Sequence, residues 1–247
     1  MAPTRGRYTS IIVDHAVLDG QSNNVEIQIQ NGVIDVTPFQ VDGRTFLAEP
    51  PQGSIRHNGY LSVIGGSQPF EGELQARLGL STSYVTVLLD TTVVACPAYV
   101  IHGSQADSMQ ISAPATNVVT IQGNWIAAAS SAAGIKRGVR MFSGALTSTG
   151  AQTHIDLGGP GLDGYAYLHV NGIGGTATNA TVTVQSDDNT GFSSATTHGT
   201  FTFSSRDGYA MTITGVIDRY ARVNLTSLGG ATSLTLYAVI VSGGVTM

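Results

Sequence analysis

Charged residues are scarce in this sequence. Asp, Glu, Lys and Arg make up only 11% of it, against roughly 25% in an average soluble domain, and Lys136 is the single lysine. Gly, Thr, Ser, Ala and Val take their place in short alternating runs. Because a monomer stays soluble through mixed surface charge, so little charge indicates that copies of the chain cover much of its surface. The composition therefore favours a subunit of a structural assembly.

Cysteine, basic charge and long apolar runs are also scarce, and each shortage excludes a class of protein. Cys96 is the one cysteine, so an intrachain disulfide and a cysteine zinc cluster are excluded. It lies in an apolar run and is expected to be a small buried side chain. The net charge of −5 provides no basic surface for nucleic-acid phosphates. No run approaches the ~20 apolar residues of a membrane span, and no signal peptide is predicted, which fits synthesis in a reducing cytoplasm.

A β-hairpin is predicted around Asn31-Gly32. This dipeptide suits a type I′ turn because both of its positions tolerate positive φ, and it separates the alternating segments 25–30 and 33–37. A two-residue turn pairs Gln30 with Val33 and fixes the register outward, so that the apolar residues share one face. The polar residues on the other face are Glu26, Gln28, Gln30, Asp35 and Thr37.

The residues after the hairpin predict a long connection and then one short helix. The connection runs from Pro38 to about Arg56, and loops of this length without secondary structure are often binding loops. We expect it to dock onto a neighbouring subunit, with folding back onto its own domain as the alternative. Its candidate inter-subunit residues are Phe39, Arg44, Phe46 and Leu47. The helix is indicated by Ser67 as N-cap, Gly79 as C-cap and an apolar residue every four positions between them.

Short alternating segments predict strands in the rest of the chain. Those before residue 128 are 60–64, 84–89, 98–102, 109–112 and 118–127. Those after residue 138 are 139–146, 166–170, 181–185, 200–203, 210–213, 219–225 and 233–241, with a predicted turn at 172–175. About seven short strands at this spacing are typical of a β-sandwich. The Ala/Ser/Gly-rich segment 127–138 is interpreted as the boundary between two all-β domains, 1–133 and 134–247.

Motifs for catalysis or cofactor binding are absent from the sequence. No serine lies in G-x-S-x-G and no histidine pair has zinc-protease spacing, so the chain is not expected to be an enzyme or to hold a cofactor or metal. Asp187-Asp188-Asn189 lacks the ligand spacing of a calcium loop and is interpreted as a turn. Tyr165 and Tyr167 alternate on one face of a predicted strand. They form either a sugar-binding platform or, in the preferred interpretation, part of an interface or of the second face of the sandwich.

Several segments resemble the major tail tube proteins of long-tailed bacteriophages. In the first half the resemblance rests on Ile34-Asp35-Val36-Thr37 in a hairpin, a long loop, the glycine-bounded segment 59–66 and a short helix. In the second half it rests on short motifs. These are Tyr167-Leu168-His169-Val170, Val184-Gln185-Ser186-Asp187-Asp188, Gly191-Phe192, Phe201-Thr202-Phe203 and Arg219-Tyr220-Ala221-Arg222-Val223. The resemblance spans roughly residues 20–245.

The resemblance implies a tail-tube, barrel-forming domain followed by a second β-sandwich. Tail tube subunits form hexameric rings whose sheets join into a β-barrel, and stacked rings conduct DNA during ejection without reading it. Six subunits at −5 each give about −30 per ring, which disfavours adhesion of DNA phosphates. The candidate lumen-facing residues, taken from the polar face of the predicted hairpin, are Glu26, Gln28, Gln30 and Asp35.

The resemblance also implies partners and leaves two other classes open. The expected partners are copies of the chain, with tape measure and tail terminator or tip proteins as further candidates, in a virion tail and without a membrane. One alternative is another virion structural protein, such as a capsid decoration or tail-tip component; open-ended tubes would exclude it. The other is a carbohydrate-binding sandwich, which glycan binding lost in Tyr165→Ala and Tyr167→Ala would favour.

Overall fold

The computed structural model describes residues 9–18, 22–30, 33–35, 46–48, 52–60, 69–79, 83–115, 118–127 and 134–243. Nearly all of its elements are strands, which confirms an all-β chain with a short helix. The elements are β1 Ser10–Val13, β2 Ala16–Val17, β3 Ser22–Gln30, β4 Val33–Asp35, β5 Phe46–Ala48, β6 Gln52–Tyr60, α1 Pro69–Arg77, β7 Ser83–Leu88, β8 Pro97–Ser112, β9 Thr120–Ala127, β10 Ile135–Leu146, β11 Gly150–Ala151, β12 Ile155–Asp156, β13 Gly161–Gly175, β14 Ala180–Asp187, β15 Thr196–Phe203, β16 Gly208–Ile217, β17 Tyr220–Ser227 and β18 Ala231–Gly243.

The chain divides into two compact units that alternate along the sequence. Unit 1 consists of Met1–Asp19, Tyr84–Val100 and Arg137–Met247, and unit 2 consists of Gly20–Ser83 and Ile101–Lys136. The predicted domains follow one another instead, with a single boundary after residue 133. The units alternate because β1 pairs with β7, and both strands lie in unit 1.

Unit 1 contains a β-sandwich. One sheet has the strand order β16-β13-β18-β10-β8-β7-β1-β2, and the other has the order β11-β17-β14-β15 with β12 also paired to β17. Apolar residues of both sheets, including Leu168, Val182, Val223 and Leu236, are fully or almost fully buried in one core. All seven strands predicted after residue 138 are present, and each extends beyond its predicted bounds.

The predicted turn at 172–175 is wrong, because these glycines continue β13. Gly172 pairs with Thr235 of β18, and the strand ends only at Gly175, where φ reaches +76°. A Cβ atom on Gly172 would lie 3.1 Å from Thr235 Oγ1. The glycines therefore allow close pairing with β18, which is rich in branched side chains. From the sequence alone, the same glycines resemble a flexible turn.

A second apolar cluster lies on the other face of β13. Tyr167 is fully buried there with residues of β1, β7, β8 and β18, and its ring centroid lies 6.0 Å from that of Tyr84 and 6.3 Å from that of Tyr165. The preferred interpretation of this tyrosine pair as filling a second face is confirmed, so Tyr167 offers no surface for a sugar. Cys96 belongs to the same cluster, as predicted, and burial raises the pKa of its thiol.

The β1–β2 hairpin, which the sequence did not predict, is held by a buried histidine of β13. His169 Nδ1 donates a hydrogen bond to the carbonyl oxygen of Asp14 at 2.7 Å, so Nε2 accepts one from Thr86 Oγ1 at 2.7 Å. Burial lowers the pKa of His169 and keeps the ring neutral. Asn171 Nδ2 adds a hydrogen bond to the carbonyl oxygen of His15. These contacts explain why a short, non-alternating segment forms an ordered turn.

The hairpin predicted at Asn31-Gly32 is wrong in its pairing. β3 pairs antiparallel with β6, and β4 pairs with β5 in a separate two-stranded sheet. The pairing with β6 runs along almost the whole of β3 and sets Ile27 opposite the fully buried Ile55. The turn residues themselves, and residues 36 and 37, lie outside the described residues.

The predicted long connection contains two strands. Phe46 and Leu47 lie in β5, and Arg56 lies in the middle of β6. The prediction of a loop without secondary structure is therefore wrong for residues 46–48 and 52–56, because both segments find antiparallel partners. Phe39 and Arg44 lie outside the described residues, and the inter-subunit role of all four candidates stays a prediction.

A helix is present as predicted, as α1. Leu74 on its predicted apolar stripe is fully buried, and Gly79 has the positive φ, +78°, of a C-terminal cap. Leu78, predicted on the same stripe, lies beyond the end of the helix and is 39% exposed, and the N-cap Ser67 lies outside the described residues. The segments predicted as separate strands at 98–102 and 109–112 form one strand, β8, and the predicted strand 60–64 has only Tyr60 within the described residues, at the end of β6. Over the described ranges, no helix combines the length and apolar character needed to cross a membrane.

Candidate functional site: the polar face of a four-stranded sheet

Unit 2 contains an antiparallel sheet with the strand order β3-β6-β9-β8 and one buried face. The buried positions of β6 are Gly53, Ile55, His57 and Gly59, and those of β9 are Ile121, Gly123 and Trp125. Helix α1 packs at this face: a Cβ on Gly123 would lie 2.5 Å from Leu74 Cδ2. The missing side chain at Gly123 thus lets the helix approach the sheet closely.

The opposite face of this sheet is polar across all four strands, and we call it the polar face. Its residues form cross-strand rows that run from β3 through β6 and β9 to β8. One row is Asn24, Asn58, Gln122 and Gln110; the next is Glu26, Arg56, Asn124 and Ser108; the third is Gln28, Ser54, Ile126 and Gln105. At the other end of the sheet, Thr120 of β9 is the register partner of Tyr60 on β6 and of Ser112 on β8. Carboxamides and hydroxyls dominate, and Ile126 is the one aliphatic residue in these rows.

Two of the four predicted lumen residues lie on the polar face. Glu26 and Gln28 are exposed there, in the register that β6 imposes. Gln30 and Asp35 belong to β3 and β4, and their side chains lie outside the described residues. The structure therefore joins Glu26 and Gln28 in one face, and their orientation toward a lumen stays a prediction.

Sequence reasoning missed most members of the polar face. Arg56, Asn58, Gln110, Gln122 and Asn124 join it only through strand pairing, and the register predicted for β3 was wrong. A usable signal was present in β6, where polar residues at even positions alternate with Gly53, Ile55, His57 and Gly59. Reading glycine and histidine as buried residues would have revealed that strand.

The charges on the polar face are few and of both signs. Glu26 is the register partner of Arg56, and Asn24 Nδ2 donates a hydrogen bond to Glu26 Oε1 at 2.9 Å. Asp107, the extra residue at a bulge of β8, accepts a hydrogen bond from Asn124 Nδ2 at 3.3 Å. Among its described residues, the face therefore offers an anion one guanidinium, opposite the Glu26 carboxylate, with Asp107 as a second carboxylate and otherwise neutral groups.

The two edges of this sheet are formed by different strands. β3 has β6 as its one described neighbour, and residues 107–112 of β8 pair with β9 and appear in no other described register. Exposed strand edges carry free backbone donors and acceptors and readily accept a further strand. A β3 edge on one side and a β8 edge on the other suit addition of one copy to the next.

Acidification is expected to destabilise unit 2 through His57, which lies beneath the polar face. Its side chain is fully buried, and burial lowers its pKa to about 4. Unfolded chains bind a proton at this imidazole below about pH 6.5, whereas the folded chain does not, so stability is present at neutral pH and is lost as the pH falls toward 4. Between pH 7.5 and pH 5 we expect a loss of about 2 kcal/mol from this residue.

Urea unfolding at the two pH values, followed by circular dichroism, measures this loss. His57→Gln is the matched comparison, because it keeps a polar side chain without a titrating group. The wild-type protein should lose more stability on acidification than the variant. Equal losses in both proteins would assign the effect to other histidines.

The motif Asp187-Asp188-Asn189 forms the predicted turn. Asp187 Oδ1 accepts a hydrogen bond from the Asn189 amide at 3.1 Å, and Oδ2 accepts one from the Ser194 amide at 3.0 Å. Burial opposes ionisation of Asp187, but these donors hold its pKa below the usual value. In the described part of the chain, no three His, Cys, Asp or Glu side chains are grouped as metal ligands.

Comparison with solved structures finds similarity to components of tail-like assemblies. A chain in the virion of a native gene transfer agent particle is 13% identical, with 52% of this chain and 96% of that chain covered and a TM-score of 0.38. A chain in the sheath/tube terminator of the PVC extracellular contractile injection system is 10% identical, with 56% and 97% covered and a TM-score of 0.41. The SPP1 Dit protein, described as a paradigm of the hub adsorption apparatus in phages infecting Gram-positive bacteria, is 12% identical, with 94% and 98% covered and a TM-score of 0.36.

No protein-family model matches the chain, and no curated protein matches it significantly. The TM-scores of the three solved structures lie below 0.5. Their functions are therefore not transferred to this chain.

Proposed function

We propose that this chain is a structural subunit of a phage-type tail, which forms rings through the edges of its four-stranded sheet and lines their bore with the polar face. One observation carries the proposal: the sheet of unit 2 has a buried face, a polar face with few charges and two different open edges among the described residues. The scarcity of charge, 11% of residues, supports a surface that is largely covered by identical neighbours.

Edges of different identity favour a ring over a two-fold dimer. A contact between β3 of one copy and β8 of the next is heterologous, and heterologous contacts generate rings when the rotation closes. The closed ring leaves no strand edge exposed, which removes the aggregation hazard of open edges. The polar faces then line one surface of a continuous barrel.

The more specific form of the proposal is a tail tube subunit, whose hexameric rings stack into a conduit for DNA ejection. A neutral polar bore supports this role, since phosphate binding to Lys and Arg would hold the DNA in place. Other copies, tape measure protein and tail terminator or tip proteins are the proposed partners, in the virion tail. A tail-tip component is the second candidate, since closure of a ring through the sheet edges does not require that the rings stack into a tube.

Cysteine cross-linking tests the contact between the two edges. Gln28 on β3 and Gln110 on β8 are exposed on the polar face, and the native Cys96 is buried. A chain with both Gln28→Cys and Gln110→Cys, treated with a short bis-maleimide, is expected to give a ladder of oligomers that ends at one closed size. Each single variant should stay monomeric in denaturing gels, because a heterologous contact never joins a residue to itself.

The matched control combines Gln28→Cys with Thr202→Cys, an exposed residue of β15 in unit 1. It is expected to give no ladder. Negative-stain microscopy of the unmodified protein should show rings with a central opening, stacked into tubes if the chain is a tube subunit. Cross-linked dimers from a single variant, or a stable monomer at high concentration, would contradict the proposal.

A further inference from the structure

A cavity of about 560 Å³ opens on the polar face at its Tyr60 end. It spans all four strands of the sheet, and five of its lining side chains are carboxamides. These are Asn23, Asn24, Asn58, Gln110 and Gln122. None of the described residues that line it is charged. Its volume falls in the range of small-molecule sites, roughly 300–1,000 Å³.

Two features separate this cavity from an ordinary solvated surface. Three of its carboxamide residues, Asn23, Asn24 and Gln110, are exposed, whereas Asn58 Oδ1 is buried and has almost no accessible surface. Tyr60 is 47% exposed at the same cavity and presents a large ring surface to solvent. The site thus combines exposed carboxamides with an aromatic ring that has room for a partner.

We propose that this cavity binds a neutral saccharide of one or two rings. The exposed carboxamides offer donors and acceptors side by side, which matches the paired hydroxyl groups of a sugar. The Thr120 and Ser112 hydroxyls extend this set, and the Tyr60 ring can cover the apolar C–H face of a pyranose. The neutral lining disfavours phosphates, carboxylates and cations, because none of them finds a counter-charge among the described lining residues.

The cavity fits a saccharide better than an extended peptide. Sheets usually bind peptides by adding a strand at an edge, with pockets for alternate side chains. This cavity lies on the face, across the strands, and Tyr60 is its exposed apolar surface, since Ile121 is almost fully buried. The inference goes beyond the proposed function, because the described lining residues belong to a single subunit.

Titration of the full chain with disaccharides tests the site. The probes are maltose, cellobiose, lactose and N,N′-diacetylchitobiose, followed by calorimetry and by saturation-transfer NMR. We expect saturable binding of at least one probe with a Kd on the order of 1 mM, and a loss of roughly tenfold or more in affinity in Tyr60→Ala and Gln122→Ala. Tyr60→Phe should retain most of the affinity, since the ring remains.

Asn124→Ala is the matched control, because Asn124 lies on the same strand and face as Gln122, one row outside the cavity. Its affinity should equal that of the wild-type protein. The proposal is overturned if no probe saturates by ~50 mM, if Asn124→Ala loses as much affinity as Gln122→Ala, or if a polar hexapeptide binds where the sugars do not. Sedimentation on the same samples reports ring formation separately, so sugar binding without rings contradicts only the proposed function, and rings without sugar binding contradict only this site.

Discussion

Replacing Trp125 with alanine is expected to destabilise unit 2 by about 3–5 kcal/mol, the usual cost of removing a buried aromatic side chain. Trp125 is fully buried in β9, where its register partners are Ile55 of β6 and Ala106 of β8. The large side chains beneath the polar face already fill other positions: Leu74 packs at Gly123 and Ile135 at Gly53. They are therefore not expected to move in and fill the cavity that the indole leaves.

Urea unfolding followed by circular dichroism measures this loss, since Trp125 is the single tryptophan and its fluorescence disappears with it. Hydrogen exchange should show faster exchange in 52–60 and 120–127 while 180–187 and 220–227 stay protected. Trp125→Phe serves as the control. The indole Nε1 has no hydrogen-bond partner among the described residues, so phenylalanine removes an unsatisfied donor while keeping a ring, and it should cost less than half as much. Equal costs for the two variants would contradict this account.

The second half of the chain was predictable because its buried positions carry apolar side chains. Alternation in 181–185, for example, sets Val182 and Val184 into the core of unit 1, and the strand β14 appears as predicted. The ends of the predicted strands were misjudged, since pairing with long neighbours extends them, and the short strands β11 and β12 were not predicted. Glycines at 172–175 were taken for a turn because the sequence does not reveal the close approach of β18.

β6 was missed because its buried face carries almost no apolar residues. The residues on that face are Gly53, Ile55, His57 and Gly59, and Ile55 is the one aliphatic side chain among them. A Cβ on Gly53 would lie 2.4 Å from Ile135 Cγ1, so a side chain distant in sequence fills that position. Alternating hydropathy does not reveal a strand whose buried positions are filled by apolar side chains of neighbouring segments instead of its own.

The candidate site was predictable to the extent that it depends on local alternation. Glu26 and Gln28 share a face whichever strand β3 pairs with, so their common exposure holds although the predicted partner was wrong. The rest of the polar face depends on which strands become neighbours. Asn58 and Gln122 face the same cavity as Asn24 only because β6 lies between β3 and β9.

Introducing arginine on the polar face is expected to make the chain bind DNA. Gln28, Gln110 and Gln122 lie in separate positions of this face, and replacing all three by arginine adds three positive charges to each subunit. In a ring these charges converge on one bore, so six subunits present about 18 of them to a threaded duplex. Binding should weaken steeply with salt, because each neutralised phosphate releases counterions.

The matched control places three arginines on β15, at the exposed Thr196, Thr200 and Thr202 of unit 1. Both variants have the same net charge, so any difference in their affinity for DNA results from the arrangement of the arginines. Fluorescence anisotropy of a labelled duplex at about 0.1 M salt should detect no binding by the wild-type protein, weak binding by the control and at least roughly tenfold tighter binding by the polar-face variant. Equal affinities in the two variants would mean that the polar faces do not converge, and the assignment of this face to a bore would then be wrong.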